Sequence, residues 1–165
     1  MKGAGCPEDV LKHVSAVKEV ALRMTAAAKR NGYSVDENII EAGAILHDIG
    51  RSRTHGIDHA VAGAQIAREL GLPQEIVSII ERHIGAGIPK EEAVKNGLPP
   101  KDYIPTTLEE KIVAHADNMV GRWAKEPIEI PIKKLRLKGL EDAARRMEEL
   151  HKEMTKICGI DPDLI

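Results

Sequence analysis

An apolar helical stripe that runs into a histidine–aspartate doublet is the strongest constraint this chain places on its own fold. In the stretch leading to Ala44-Ile45-Leu46-His47-Asp48-Ile49-Gly50-Arg51, residues Ile39, Ile40, Ala44 and His47 share one helical face, as a core-facing stripe does. Gly50 is expected to cap that helix in the left-handed conformation. The doublet then lies at the buried end of an apolar helix, where a carboxylate is costly unless paired or bound to a cation. Adjacent helical residues point about 100° apart, so His47 and Asp48 approach one point from different directions. Taken alone, the pair also fits a satisfied core histidine beside a surface aspartate. The other histidines shift that balance.

The same arrangement recurs along the chain. Pro7-Glu8-Asp9 opens a helix running to about Arg30, with proline suited to the first turn and acids to the positive end of the dipole. His13 falls on a row with Val17, Val20 and Met24. Ser34 to Glu37 supplies N-cap candidates for the doublet helix, and Arg51 to Gly56 reads as a polar loop. A third helix, His59 to Leu70 after Asp58, places His59 with Ala62, Gly63 and Ile66. A fourth begins near Pro73 and ends its Ile76, Ile79, Ile80 stripe on His83. Lys90 to Asn96 is a short surface helix, and Gly97 to Pro105 a proline-rich loop. Thr106 or Thr107 with Glu109-Glu110 caps a further helix, on which Asp117 lies on the Val113 and Val120 side. Pro127 to Lys138 carries two prolines and reads as extended loop. A last helix covers about Leu140 to Cys158. The expectation is one all-α domain over residues 1–165, a bundle of about six to seven helices. Its core covers about 8–124 and its C-terminal loop and helix about 127–158.

Composition removes several functions. A formal charge of −2 argues against general nucleic-acid or membrane binding. Tyr33, Tyr103 and Trp123 are the only aromatics, which argues against base-stacking platforms for single-stranded nucleic acid. Cys6 and Cys158 lie near opposite ends, excluding a cysteine-based zinc site and a disulfide framework. No apolar run approaches the roughly 20 residues that span a bilayer, and no secretory signal opens the chain. A cytoplasmic protein is the expectation.

What remains is a constellation. His13, His47, Asp48, His59, His83 and Asp117 stand at inward-facing or helix-end positions on separate helices. Neutral imidazoles and carboxylates are the ligand set for Zn, Mn, Fe or Co. Their number exceeds what a structural zinc uses. It suits two neighbouring ions sharing a carboxylate, or one ion with auxiliary histidines.

The order His13, His47-Asp48, Asp117, with Ile49-Gly50 after the doublet, resembles the HD superfamily of metal-dependent phosphohydrolases in its HDIG-containing group. The resemblance extends over roughly His13 to Arg122. It implies an HD-domain helical bundle in which His13, His47, Asp48 and Asp117 bind one metal. His59 and His83 then complete a second site that shares Asp48. One or two divalent transition-metal ions are implied (Mn, Fe, Zn, Co or Ni, with Mg possible). So is hydrolysis of a phosphoester or phosphoanhydride in a nucleotide-type small molecule by a metal-activated water. Asp48 and Arg51 take catalytic roles, and Arg51, Arg53 and Arg122 are candidates to clamp phosphoryl oxygens. Arg51 stands where the family commonly has lysine, which keeps the charge but changes donor geometry. The segment Asp117 to Arg122 is similar to the distal motif of dinucleoside tetraphosphatase-like HD proteins. Three alternatives are an HD module that binds or signals through a cyclic nucleotide, a di-iron HD oxygenase, and an inactive metal-binding scaffold. His55 and His115 match no ligand position.

Overall fold

Secondary structure in the computed structural model, which describes residues 1, 3 and 5–165, is helical throughout, with no strand among the described residues. The longest helix, α1 (Glu8–Arg30), has Glu8 and Asp9 in its first turn and Lys29 and Arg30 in its last, both favourable to the helix dipole. Helix α2 (Glu37–Leu46) starts where the Asp36 carboxylate accepts from the amides of Asn38 at 2.9 Å and Ile39 at 3.2 Å. It stops one residue before the doublet: His47 is the C-cap, and Asp48 leads into a 3₁₀ turn, Ile49–Ser52. Then come α3 (His59–Glu69), α4 (Gln74–Arg82), α5 (Lys90–Lys95) and α6 (Leu108–Asn118). Thr107 caps α6 by accepting from the Glu110 amide at 3.2 Å, and Glu110 accepts from the Thr106 amide at 2.7 Å.

Helix α7 (Glu129–Leu137) corrects the expected extended loop. Pro131 occupies its first turn, where a missing N–H breaks no helical hydrogen bond. One turn apart, Ile128 and Ile132 are buried with Met119, Ala144 and Met147, and that apolar contact outweighs two prolines. Helix α8 (Glu141–Cys158) closes the bundle and ends on Gly159 at φ 67°. With α7, the helix total is eight among the described residues, above the expected six to seven.

Helix α1 packs on α2, α6 and α8, while α4 contacts α2, α3 and α6. Between them lies a core containing Val17, Met24, Ile40, Ile79, Ile112 and Met154, all essentially without solvent exposure. Each such aliphatic side chain contributes about 1.5–3 kcal/mol by leaving water. This packing brings the C-terminal ends of α2, α4 and α6 to the flank of α1, so the helix-end polar residues meet.

Gly50 corrects a second expectation. It takes no positive φ and lies inside the 3₁₀ turn. A Cβ there would stand 1.9 Å from the His59 carbonyl oxygen and 2.6 Å from the Gly63 nitrogen. Glycine is required because the main chain of the turn lies directly against α3.

Candidate metal centre

Four histidine rings are oriented by one device. Nδ1 of His47 donates to the Ala44 carbonyl at 2.8 Å, Nδ1 of His59 to Gly56 at 2.7 Å and Nδ1 of His83 to Ile80 at 2.8 Å. Nδ1 of His13 donates to the Gly121 carbonyl at 3.2 Å. A carbonyl can only accept, so each Nδ1 carries a proton. In the neutral rings, every Nε2 therefore presents a lone pair. Ligating histidines are commonly held in this way through the nitrogen that does not bind.

The Nε2 atoms converge on two carboxylates. His13 Nε2 lies 2.9 Å and His47 Nε2 3.4 Å from Asp117 Oδ1. His59 Nε2 lies 3.0 Å and His83 Nε2 3.7 Å from Asp48 Oδ1. His47 Nε2 is also 3.7 Å from Asp48 Oδ2, which links the two halves. The Nε2 atoms of His59 and His83 face each other at 3.1 Å. Ring lone pairs aimed at carboxylate oxygens and at one another need a positive charge between them. Consistent with that need, His47 Nε2 and Asp48 Oδ1 are buried with no hydrogen-bond partner. Ligand atoms of His13, His47 and Asp117 lie within 4.8 Å of one another, as do those of His47, Asp48 and His83. The donor set and these unpartnered atoms fit a bound cation.

Electrostatics gives the same demand. Burial alone would raise the pKa of Asp48, yet the His59 and His83 rings hold it well below the carboxylate range. Asp117 is lowered in the same way, against burial, by His47 and His13. Burial disfavours a charged His47, but Asp117 raises its pKa to about 9. His83 is lowered, chiefly by burial. Both acids are thus anionic, and a proton or a metal ion must balance them. The centre is also graded in depth. His13 and Asp117 side chains are 17% and 20% exposed, against 2% for His83, so solvent enters from the His13 side.

That side opens into a cleft of about 310 Å³ lined by His13, Asp48, Arg51, His55, Arg122 and Trp123. Arg51 sits on the 3₁₀ turn with its Nε 2.8 Å from Asp48 Oδ2. Arg122 lies over the Trp123 ring at 4.2 Å. Arg53 is elsewhere, pairing with Glu69 at 2.9 Å, so the structure brings Arg51 and Arg122 to the cleft and leaves Arg53 outside it. His55, unassigned from sequence, lines the cleft. Trp123 and the Gly121 carbonyl are further site features that sequence reasoning missed, because loop residues carry no periodicity to reveal their direction. His115 lies apart from the centre. It is fully buried, 3.1 Å from His151 Nδ1 through its Nε2, and burial lowers its pKa to about 3.

An uncharacterized protein of Methanocaldococcus jannaschii is 57% identical over 129 residues, covering 78% of this chain and 76% of its own length. A tRNA (cytidine(56)-2'-O)-methyltransferase of Thermoplasma volcanium is 48% identical over 161 residues, covering 98% of this chain. The chain spans 46% of the length of that methyltransferase. Among solved structures, the HD domain of the L. monocytogenes phosphodiesterase PgpH in complex with cyclic-di-AMP superposes with a TM-score of 0.55 at 18% identity, over 93% of this chain and 90% of that one. The HD domain family itself matches residues 10–120, and the chain belongs to it.

Proposed function

We propose that the protein is a metal-dependent phosphohydrolase acting on a phosphoester or phosphoanhydride bond of a nucleotide-type substrate. The observation that carries this reading is the set of four Nδ1-pinned histidines whose Nε2 atoms converge on Asp48 and Asp117. His13, His47, Asp48 and Asp117 would hold one divalent ion, and Asp48, His59 and His83 a second. When bound, such ions lower the pKa of a coordinated water and neutralise charge on a phosphoryl group.

The chain's own residues account for the rest of the chemistry. Asp48 and Asp117 stay ionised in the centre, so neither competes with water for a proton near neutral pH. The backbone carbonyls hold the imidazoles in one tautomer, which costs no reorganisation during turnover. Arg51 is fixed through its Nε on Asp48 and lines the cleft. Its terminal nitrogens suit bidentate contact with phosphoryl oxygens. Arg122 brings a second guanidinium to the same cleft. One solved neighbour holds cyclic-di-AMP, which supports a nucleotide-type substrate.

The test is a panel of nucleotides, dinucleotides, cyclic nucleotides and aryl phosphates, assayed with Mn, Co, Ni, Fe and Mg, with Asp117→Asn as background. Release of phosphate or a nucleoside phosphate that depends on metal and falls at least about a hundredfold in Asp117→Asn supports the reading. No turnover above that background with any metal overturns it and favours the di-iron oxygenase or inactive-binder alternatives.

A further inference from the structure

We propose that Trp123 is the stacking platform for a single nucleobase attached to the phosphoryl group that reaches the centre at His13 and Asp48. The inference rests on the phosphohydrolase reading and names the part of the substrate that the protein recognises.

Trp123 is the only tryptophan of the chain. A half-exposed aromatic is unremarkable alone: Tyr33 is 42% exposed and lines none of the described clefts at the centre. Three observations set Trp123 apart. Its ring, 46% exposed, lines the same cleft as His13, Asp48 and Arg51. Two cations lie over the ring, the Arg122 guanidinium at 4.2 Å and Lys12 Nζ at 5.6 Å from its centre, so a base takes a face by displacing a cation, which then stands beside the base-linked phosphate. Its turn is also tied to the centre. The Gly121 carbonyl accepts from His13 Nδ1 at 3.2 Å, the Gly121 amide donates to the Ala124 carbonyl at 2.9 Å, and the Glu126 amide to the Met119 carbonyl at 2.7 Å. One short segment therefore both orients a candidate ligand and presents the indole to the cleft.

Size and composition limit the ligand. A cleft of about 310 Å³ is at the small end of ligand pockets, room for one nucleotide unit. With no second tryptophan, tyrosine or phenylalanine in its lining, the cleft offers one large stacking face and no track for a strand. Every base has a π face, so recognition through Trp123 is tolerant of base identity but intolerant of its absence.

Because Trp123 is the sole tryptophan, its fluorescence reports the stack directly and independently of turnover. AMP and UMP should quench it saturably, whereas ribose 5-phosphate should not. By calorimetry, Trp123→Ala should weaken AMP binding about 10- to 100-fold, and Trp123→Tyr should recover most of it. Equal responses to AMP and ribose 5-phosphate, or undiminished AMP affinity in Trp123→Ala, would overturn the proposal. Quenching by AMP in a protein that hydrolyses nothing on the panel would leave the stack standing and remove the hydrolase. Turnover of nucleotides with unchanged KM and kcat in Trp123→Ala would do the reverse.

Discussion

Gly50→Ala tests how closely the fold and the centre are joined. The added Cβ would stand 1.9 Å from the His59 carbonyl oxygen and 2.6 Å from the Gly63 nitrogen, where ordinary contact begins near 3.4 Å. Both obstacles are main chain, so no rotamer change relieves them, and the 3₁₀ turn and α3 must separate by more than 1 Å. Overpacking of this kind costs about 1–3 kcal/mol, occasionally more, and an immovable obstacle argues for the upper end. For a domain of this size, about 3 kcal/mol lowers Tm by roughly 6–12 °C. The displacement falls on His59, whose Nε2 is 3.0 Å from Asp48 Oδ1, and it exceeds the ~0.5 Å within which a site geometry must be held. Thermal melts with and without chelator, together with elemental analysis, read both effects. The variant should melt lower and carry less metal per chain than wild type. A melt within about 2 °C of wild type, with full metal content, would refute the reasoning.

Removing a deep ligand should act on only half of the centre: His83→Ala should reduce the metal content without emptying it, whereas complete loss, or none, would argue against two linked sites. Arg51→Ala should lower kcat/KM about 10- to 100-fold while metal content holds, with Arg51→Lys recovering part of the loss; full activity or loss of metal would count against the clamp. His115 gives a pH prediction. Its folded-state pKa of about 3 lies below the ordinary 6.5, so the unfolded chain takes up the proton first, and stability falls as pH drops from 6.5 toward 3, by at most about 1.4 kcal/mol per unit. His115→Leu should flatten that acid limb in chelator-treated protein, measured by urea unfolding between about pH 7 and 5. A difference from wild type that stays constant across the range would refute it.

Much of the fold and of the site's residue list was legible because both follow helical periodicity. His47 and His83 each end an apolar stripe, so the residues that build the core also deliver the imidazoles. Asp36 and the Thr107 and Glu110 pair mark helix starts through cap chemistry that is local in sequence. The failures are non-local. Prolines in 127–138 suggested a loop, but burial of Ile128 and Ile132 against α8 was decided by residues distant in the chain. The sequence around Gly50 points to a left-handed cap, whereas the need for glycine comes from α3 lying against it. Arg53 follows Arg51 closely, yet Glu69 draws it away from the cleft. Trp123 lies in a turn, where direction is set by the Gly121 hydrogen bonds and not by period.

The carbonyls that hold the four rings have a consequence for how this centre responds to mutation. Ala44, Gly56, Ile80 and Gly121 contribute only main-chain oxygen to their histidines, and every amino acid carries that oxygen. No side-chain replacement can delete it. Imidazole orientation is thereby insured against drift at the orienting positions, provided that the local backbone path survives. Alanine scanning removes the ligands but not the oxygens that aim them. Exchanging a single amide for an ester just after one of these carbonyls weakens that acceptor and removes the N–H of the following residue, so it loosens one ring at the cost of one backbone donor and touches no side chain.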